Sequence, residues 1–198
     1  MEKKGHNLRV VPGSPADLSE RDNDSLMLLA RGGLDGAFDA LVRRHQTRTL
    51  RIAAKYLGQS AVAKDVAQNT FLEIHRALPR YKARGRFESY LYRVLLNQCR
   101  MASRAARNAA RAQTLLDRPV EVEDPLAEQL ILERERRREV EQALGRLSGK
   151  LREVLVLRFV GELSYREIAE ALGLPLGTVK RRIFDGLEKL RRNLEAER

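Results

Sequence analysis

The stretch from Ser164 to Arg192, SYREIAEALGLPLGTVKRRIFDGLEKLRR, leaves this chain the least freedom. It opens with Ser164 and, three residues on, Glu167, a spacing at which each side chain can satisfy the other residue's free backbone N–H. Ile168, Ala169 and Leu172 then share one face of a short helix. Gly173 and Pro175 end it, because Gly accepts the left-handed backbone of a helix C-cap and Pro suits the first turn of the next helix. The second helix carries Val179, Ile183, Leu187 and Leu190 on one side and Lys180, Arg181 and Arg182 on the other. Two helices joined by a tight Gly turn, the second one cationic, make a helix-turn-helix whose second helix fits a DNA major groove. A plain helical hairpin with solvated charges is the alternative. Ala169 at the close approach, Gly173 at the turn and Val179 packing back favour the DNA reader.

The rest of the composition agrees with a polyanion partner. The chain has 198 residues and a formal net charge of +11, with no Trp and 5% aromatic residues, which suits compact helical domains. Such a charge favours phosphate-rich partners over acidic small substrates. No apolar run approaches the roughly 20 residues that span a bilayer, and MEKKGHNLRVVPGSP lacks the apolar segment of a signal peptide. A soluble cytoplasmic protein without membrane insertion is expected. Cys99 is alone, which excludes an internal disulfide and a cysteine-based zinc site. His6, His45 and His75 are scattered, and His45 sits on an apolar stripe as a core histidine would. No phosphate-cradling Gly loop, paired carboxylates in a Gly-rich setting or metal-ligand spacing occurs, so neither an enzyme nor a cofactor is expected.

Along the chain, residues 1–22 lack periodicity and read as a disordered tail. A domain is expected over 23–112. Its first long helix has Phe38, Leu41, Val42, His45, Thr49, Ile52, Ala53 and Tyr56 on one stripe. A second, from about Ala61 to Leu78, turns Val62, Val66, Thr70, Phe71, Ile74 and Leu78 inward and shows Asp65, Gln68, Asn69, Glu73 and Arg76 outward. Pro79 breaks it and opens a basic loop, RYKARGR. A third helix starts near Phe87, with Leu91, Val94, Leu95 and Met101 as its core side and a basic stripe of Arg100, Arg104, Arg107 and Arg111. Tyr81, Phe87, Tyr90 and Tyr92 stand among Lys82, Arg84 and Arg86. Rings interleaved with cations suit a single-stranded nucleic acid, whose bases stack on rings while cations hold its backbone. For Tyr92 and Phe87 a core position is the competing reading.

Residues 113–128 are acidic and interrupted by Pro119 and Pro125, and read as an extended, flexible linker. A solvating spacer is the plainer reading of it, and passage through a cationic channel of a partner the other. Residues 129–198 then form a small four-helix domain ending in the helix-turn-helix. The fold class expected is all-α: two small helical domains on a flexible acidic linker.

From Leu26 to Leu194 the chain resembles the extracytoplasmic-function group of bacterial RNA polymerase sigma factors, the small type that keeps only the second and fourth sigma domains. The matching stretches are DGAFDALVRRH, KDVAQNTFLEIHRAL, FESYLYRVLLNQ and LREVLVLRFVGELSYREIAEALGLPLGTVKRRIF, in that order, with the acidic linker between. The resemblance implies a subunit that binds core RNA polymerase through the β′ clamp helices and β flap, reads two promoter elements and helps open the duplex. Asp65, Gln68, Asn69 and Glu73 correspond to the polymerase-docking face; the family usually has Glu where Asn69 stands. Tyr81, Lys82, Arg84, Arg86 and Phe87 match the loop that captures a flipped base of the minus-ten element, and extruding a base costs a few kcal/mol that a pocket of rings and polar groups offsets. Tyr90 stands where Trp is common, and Arg93, Asn97 and Arg100 are candidate backbone contacts. Pro175, Gly177, Thr178, Lys180, Arg181 and Phe184 match positions facing the minus-thirty-five element, and Asp185 stands where many members have Arg. The resemblance also implies an anti-sigma partner. A stand-alone helix-turn-helix regulator is the alternative; it leaves the aromatic loop and the Asp65 face without a role.

Overall fold

The computed structural model describes residues 15–58, 60–112 and 128–196. The helices in chain order are α1 (Pro15–Glu20), α2 (Asn23–Arg31), α3 (Ala37–Leu57), α4 (Ser60–Ala77), α5 (Phe87–Ala112), α6 (Glu128–Gly145), α7 (Gly149–Phe159), α8 (Tyr165–Leu172) and α9 (Leu176–Glu195), with a 3₁₀ turn at Leu78–Arg80. The described residues contain no strand, and the all-α expectation holds. Of the expected tail, residues 1–14 lie outside the described residues. Its last part is structured instead: α1 buries Leu18, and Asp22 caps α2 by accepting from the Ser25 N–H at 2.9 Å. Of the expected linker, 113–127 lie outside the described residues, and Glu128 already opens α6.

Helices α1–α5 make the N-terminal module. Ala37, Ala40, Leu41, His45, Thr49, Ile52, Ala53 and Tyr56 form the buried side of α3, close to the stripe read from the sequence. Phe38 and Val42 sit half-buried at its border with α4. On α5 the buried side is Phe87, Leu91, Tyr92, Leu95, Leu96 and Cys99. Met101, expected on that side, is 60% exposed, because it lies about 200° around the helix from Cys99.

Helices α6–α9 make the C-terminal module, and its helix-turn-helix forms as its local signals require. The Ser164 N–H donates to Glu167 Oε2 at 2.7 Å, and the Glu167 N–H donates to Ser164 Oγ at 3.2 Å. Gly173 takes φ +65° at the turn, and Val179 and Ile183 pack inward. Leu187, expected beside them, is exposed. Gly186 takes the inward place because a Cβ there would come within 3.1 Å of Leu155.

The modules do not hang apart on a tether. Helix α8 packs on α5, and α7 packs on α3. Helix α7 buries five consecutive residues, Glu153, Val154, Leu155, Val156 and Leu157. A helix buried all round must be covered on both sides, and here α9 covers one side and the N-terminal module the other. The two cores merge into one apolar cluster.

Candidate nucleic-acid interface

The basic loop at 81–86 leaves the 3₁₀ turn and turns at Gly85, where φ is +65°. Asp24 on α2 holds it. One carboxylate oxygen accepts from the Tyr81 hydroxyl at 2.8 Å and from the Arg84 N–H at 2.9 Å. Arg31, also on α2, donates to the Tyr81 carbonyl at 3.0 Å. Burial first, and the Asp24 bond second, push the Tyr81 phenol well above its ordinary range.

The rings of this region divide by burial. Tyr81, Phe87 and Tyr92 belong to the core, Phe87 lying 5.4 Å from the His45 ring and 6.5 Å from Tyr81. Tyr81 and Phe87, expected to meet an unpaired base, are both buried, and of the two Tyr81 lines the cavity beside the loop. Tyr90 is half-buried and 5.9 Å from Tyr81, and both rings line a cavity of about 490 Å³. Arg80, Lys82, Arg84, Arg86, Ser89 and Arg93 also line that cavity, and Glu170 of the C-terminal module lines it with them.

Several cations beside the loop are already engaged. Arg93 donates from Nε to the Ala171 carbonyl at 3.2 Å and from a terminal nitrogen to the Glu170 carbonyl at 2.8 Å. These carbonyls lie in the last turn of α8, where the dipole favours a cation, and the Glu170 carbonyl also accepts from the Gly173 N–H at 3.3 Å. Ser89 Oγ donates to Glu170 Oε2 at 3.3 Å, and Arg86 lies 3.9 Å from the same oxygen. Arg100 makes a two-pronged pair with Glu153 at 2.7 and 2.8 Å, and also donates to Asn97 Oδ1 at 2.9 Å. The Glu153 bonds raise the Arg100 pKa further above its ordinary value.

On α4 the expected face is in place: Asp65, Gln68, Asn69 and Glu73 are all exposed. Glu73 accepts from Arg76 at 2.6 Å. Beside them runs an apolar groove of about 510 Å³ between α3 and α4, with Phe38, Val42, Leu50, Phe71 and Leu72 on its walls. Its rim residue Leu72 is 44% exposed. Sequence periodicity assigned Phe38, Val42 and Phe71 to the core and so missed this groove; exposed Leu72 was the signal.

Helix α9 presents Lys180, Arg181 and Phe184 to solvent. Phe184 is 64% exposed. Pro175 and Gly177 are exposed at the helix entry, and the Thr178 N–H donates to the Pro175 carbonyl at 3.0 Å. Asp185 lies 3.7 Å from Arg181 one turn away, so it faces a cation of its own helix. Next to Lys180 a shallow cleft adds Arg158, Tyr165 and Arg166, with the Arg158 guanidinium 5.3 Å from the Tyr165 ring centre. The described residues hold no cluster of His, Cys, Asp and Glu able to bind a metal, and no helix long and apolar enough to cross a membrane.

Residues 41–109 match the family Sigma-70 region 2, and residues 137–190 match the family Sigma-70, region 4. The chain is 30% identical over 182 residues to the ECF RNA polymerase sigma-E factor of Escherichia coli strain K12, covering 87% of this chain and 95% of that protein. It is 35% identical over 156 residues to the ECF RNA polymerase sigma factor SigE of Mycolicibacterium smegmatis, covering 78% of this chain and 60% of that protein. Among solved structures, CnrH in complex with the cytosolic domain of CnrY is similar with a TM-score of 0.64 and 28% identity, over 89% of this chain and 99% of that one.

Proposed function

We propose, since the chain belongs to the extracytoplasmic-function group of RNA polymerase sigma factors, that it directs core RNA polymerase to promoters by dividing the work between its two modules. The observation that carries this is the pairing of a region 2 and a region 4 match, in that order, on one chain.

The polymerase docks on the exposed α4 face, Asp65, Gln68, Asn69 and Glu73, and the apolar groove beside it supports that contact by offering desolvated area next to charge. The C-terminal module meets the β flap. Helix α9 enters the major groove at the minus-thirty-five element. Pro175, Gly177 and Thr178 bring its start close to the backbone, and Lys180 and Arg181 reach guanine edges or phosphates. Phe184 adds apolar contact. The loop takes the minus-ten element: Tyr90 offers a ring to an unpaired base, Lys82, Arg84 and Arg86 hold the strand, and Arg93, Asn97 and Arg100 follow its backbone. Tyr81 and Phe87 act through the loop they support.

Polymerase sets the separation of the modules, which turns two weak contacts into one bivalent one. The chain performs no catalytic step of its own and works in the cytoplasm, where the polymerase is. An anti-sigma factor competes for the polymerase-docking surfaces, a reading supported by the similar structure of CnrH, which is in complex with the cytosolic domain of CnrY. Run-off transcription with purified core polymerase, read together with permanganate footprinting, tests the proposal. Specific transcripts and reactive thymines are expected only with this chain present. Transcripts absent in every mixture would leave a stand-alone regulator as the better reading.

A further inference from the structure

Residues 176–184 of α9 include Lys180, Arg181 and Arg182 and no acid, and Asp185 is the first carboxylate along the helix. The inward side of α9 is Val179, Ile183 and Gly186. At about 100° per residue, Arg181 lies about 200° around the helix from Val179, and Asp185 about 200° from Ile183. Both share the outer face with Phe184, which is 64% exposed. A helix that turns Arg181 toward DNA therefore turns Asp185 with it. The two side chains are 84% and 49% exposed and 3.7 Å apart, so their pair is weak and each can take a better partner.

Toward a phosphate, the Asp185 carboxylate is only repulsive. On a base edge it needs a donor, because an ionised carboxylate only accepts. A G·C pair presents two acceptors in the major groove, guanine N7 and O6, and then one donor, the cytosine N4 amine. The Arg181–Asp185 pair offers the complement, a fork of donors beside an acceptor. An A·T pair sets its donor between two acceptors, so Arg181 would lose one of its two bonds there.

We propose that Asp185 is a specificity-determining residue: together with Arg181 it reads one G·C pair of the minus-thirty-five element, Arg181 on guanine N7 and O6 and Asp185 on the cytosine amine. The inference rests on the function proposed above and adds to it a base pair that α9 selects. Where that pair is absent, the carboxylate faces acceptors and phosphates without a donor, so it also penalises wrong sequences.

The test uses core polymerase with the full chain on a promoter library randomised through both elements, and the transcribed templates are sequenced. With the wild-type chain, one upstream position is expected to favour G·C over A·T by about tenfold or more. Asp185→Ala should cut that preference about fivefold and leave the other positions as they were. Arg181→Ala should cut it at the same position. Asp185→Asn should admit A·T there, because an amide bonds adenine N6 and N7 together. Asp185 and Arg181 are exposed, so these variants keep the packed side of α9 intact. An enrichment profile unchanged by Asp185→Ala overturns the assignment, and so does a change at a pair that Arg181→Ala leaves alone. A uniform rise in yield on every sequence would make Asp185 a repulsive charge toward phosphate and nothing more, which also overturns it. Absence of any enriched sequence with the wild-type chain sinks the sigma-factor reading instead.

Discussion

Helix α9 and the loop at 81–86 carry similar cations in opposite circumstances. On α9, Lys180 and Arg181 face solvent, and the nearest carboxylate, Asp185, is an exposed neighbour on the same helix at 3.7 Å. Beside the loop, Arg93 caps a helix of the other module and Arg100 is held by Glu153, whose side chain is 6% exposed. Type and number of charges do not distinguish the two surfaces; what lies against them does. Whether a basic patch is available to nucleic acid is therefore a property of tertiary packing.

The strongest way to disturb this contrast is Glu153→Ala. It leaves the Arg100 guanidinium without its counter-charge at the junction. We expect a loss of about 3 kcal/mol, at the low end for a broken buried pair because the Arg100 side chain is 38% exposed. Urea unfolding checks it, and an unchanged midpoint would show that the pair does not hold the modules together. Next is acid. Burial, with Arg44 and Arg48 adding to it, lowers the His45 pKa to about 4. Its ring donates from Nε2 to Asn23 Oδ1 at 3.1 Å. The unfolded chain takes up a proton near 6.5 while the folded chain stays neutral, so stability is complete above that pH. It falls as pH drops, by about 2–3 kcal/mol once pH has passed through 4. The N-terminal module should feel this first, and His45→Gln should flatten the dependence of the melting temperature on pH. Lys180→Glu probes the open surface: upstream duplex binding should weaken by about 2 kcal/mol with polymerase binding unchanged. Equal loss of both would erase the division between modules. The smallest effect belongs to Ser164→Ala, which removes one half of the capping box for about 1 kcal/mol. It should lower the thermal stability of the helix-turn-helix and leave single-strand binding as it was.

The helix-turn-helix was legible because its determinants are local. Ser164, Glu167, Gly173 and Val179 act within a few residues of one another, and all are found as the sequence implies. The loop was only half legible. Tyr81 and Phe87 are buried by partners on α2 and α3, Asp24 and His45, tens of residues away, and no local pattern of rings and cations reports such contacts. The docking left one trace that periodicity did not use. Val154, Leu155, Val156 and Leu157 form an unbroken apolar run on a short helix, and such a helix needs cover on two sides. Glu170, by contrast, sits where any solvated helix face would carry a carboxylate, and only the packing of α8 on α5 gives it a partner.

Three exposed ion pairs cross the junction of the modules, Glu141 with Lys55, Glu162 with Arg48 and Glu170 with Arg86. Added salt screens Glu141, Glu162 and Glu170 from their cations and loosens the docked state, and it also weakens any grip on DNA by reducing the gain from counterion release. The two effects oppose each other. The affinity of the free chain for a single strand should therefore decline with salt less steeply than its phosphate contacts alone would dictate.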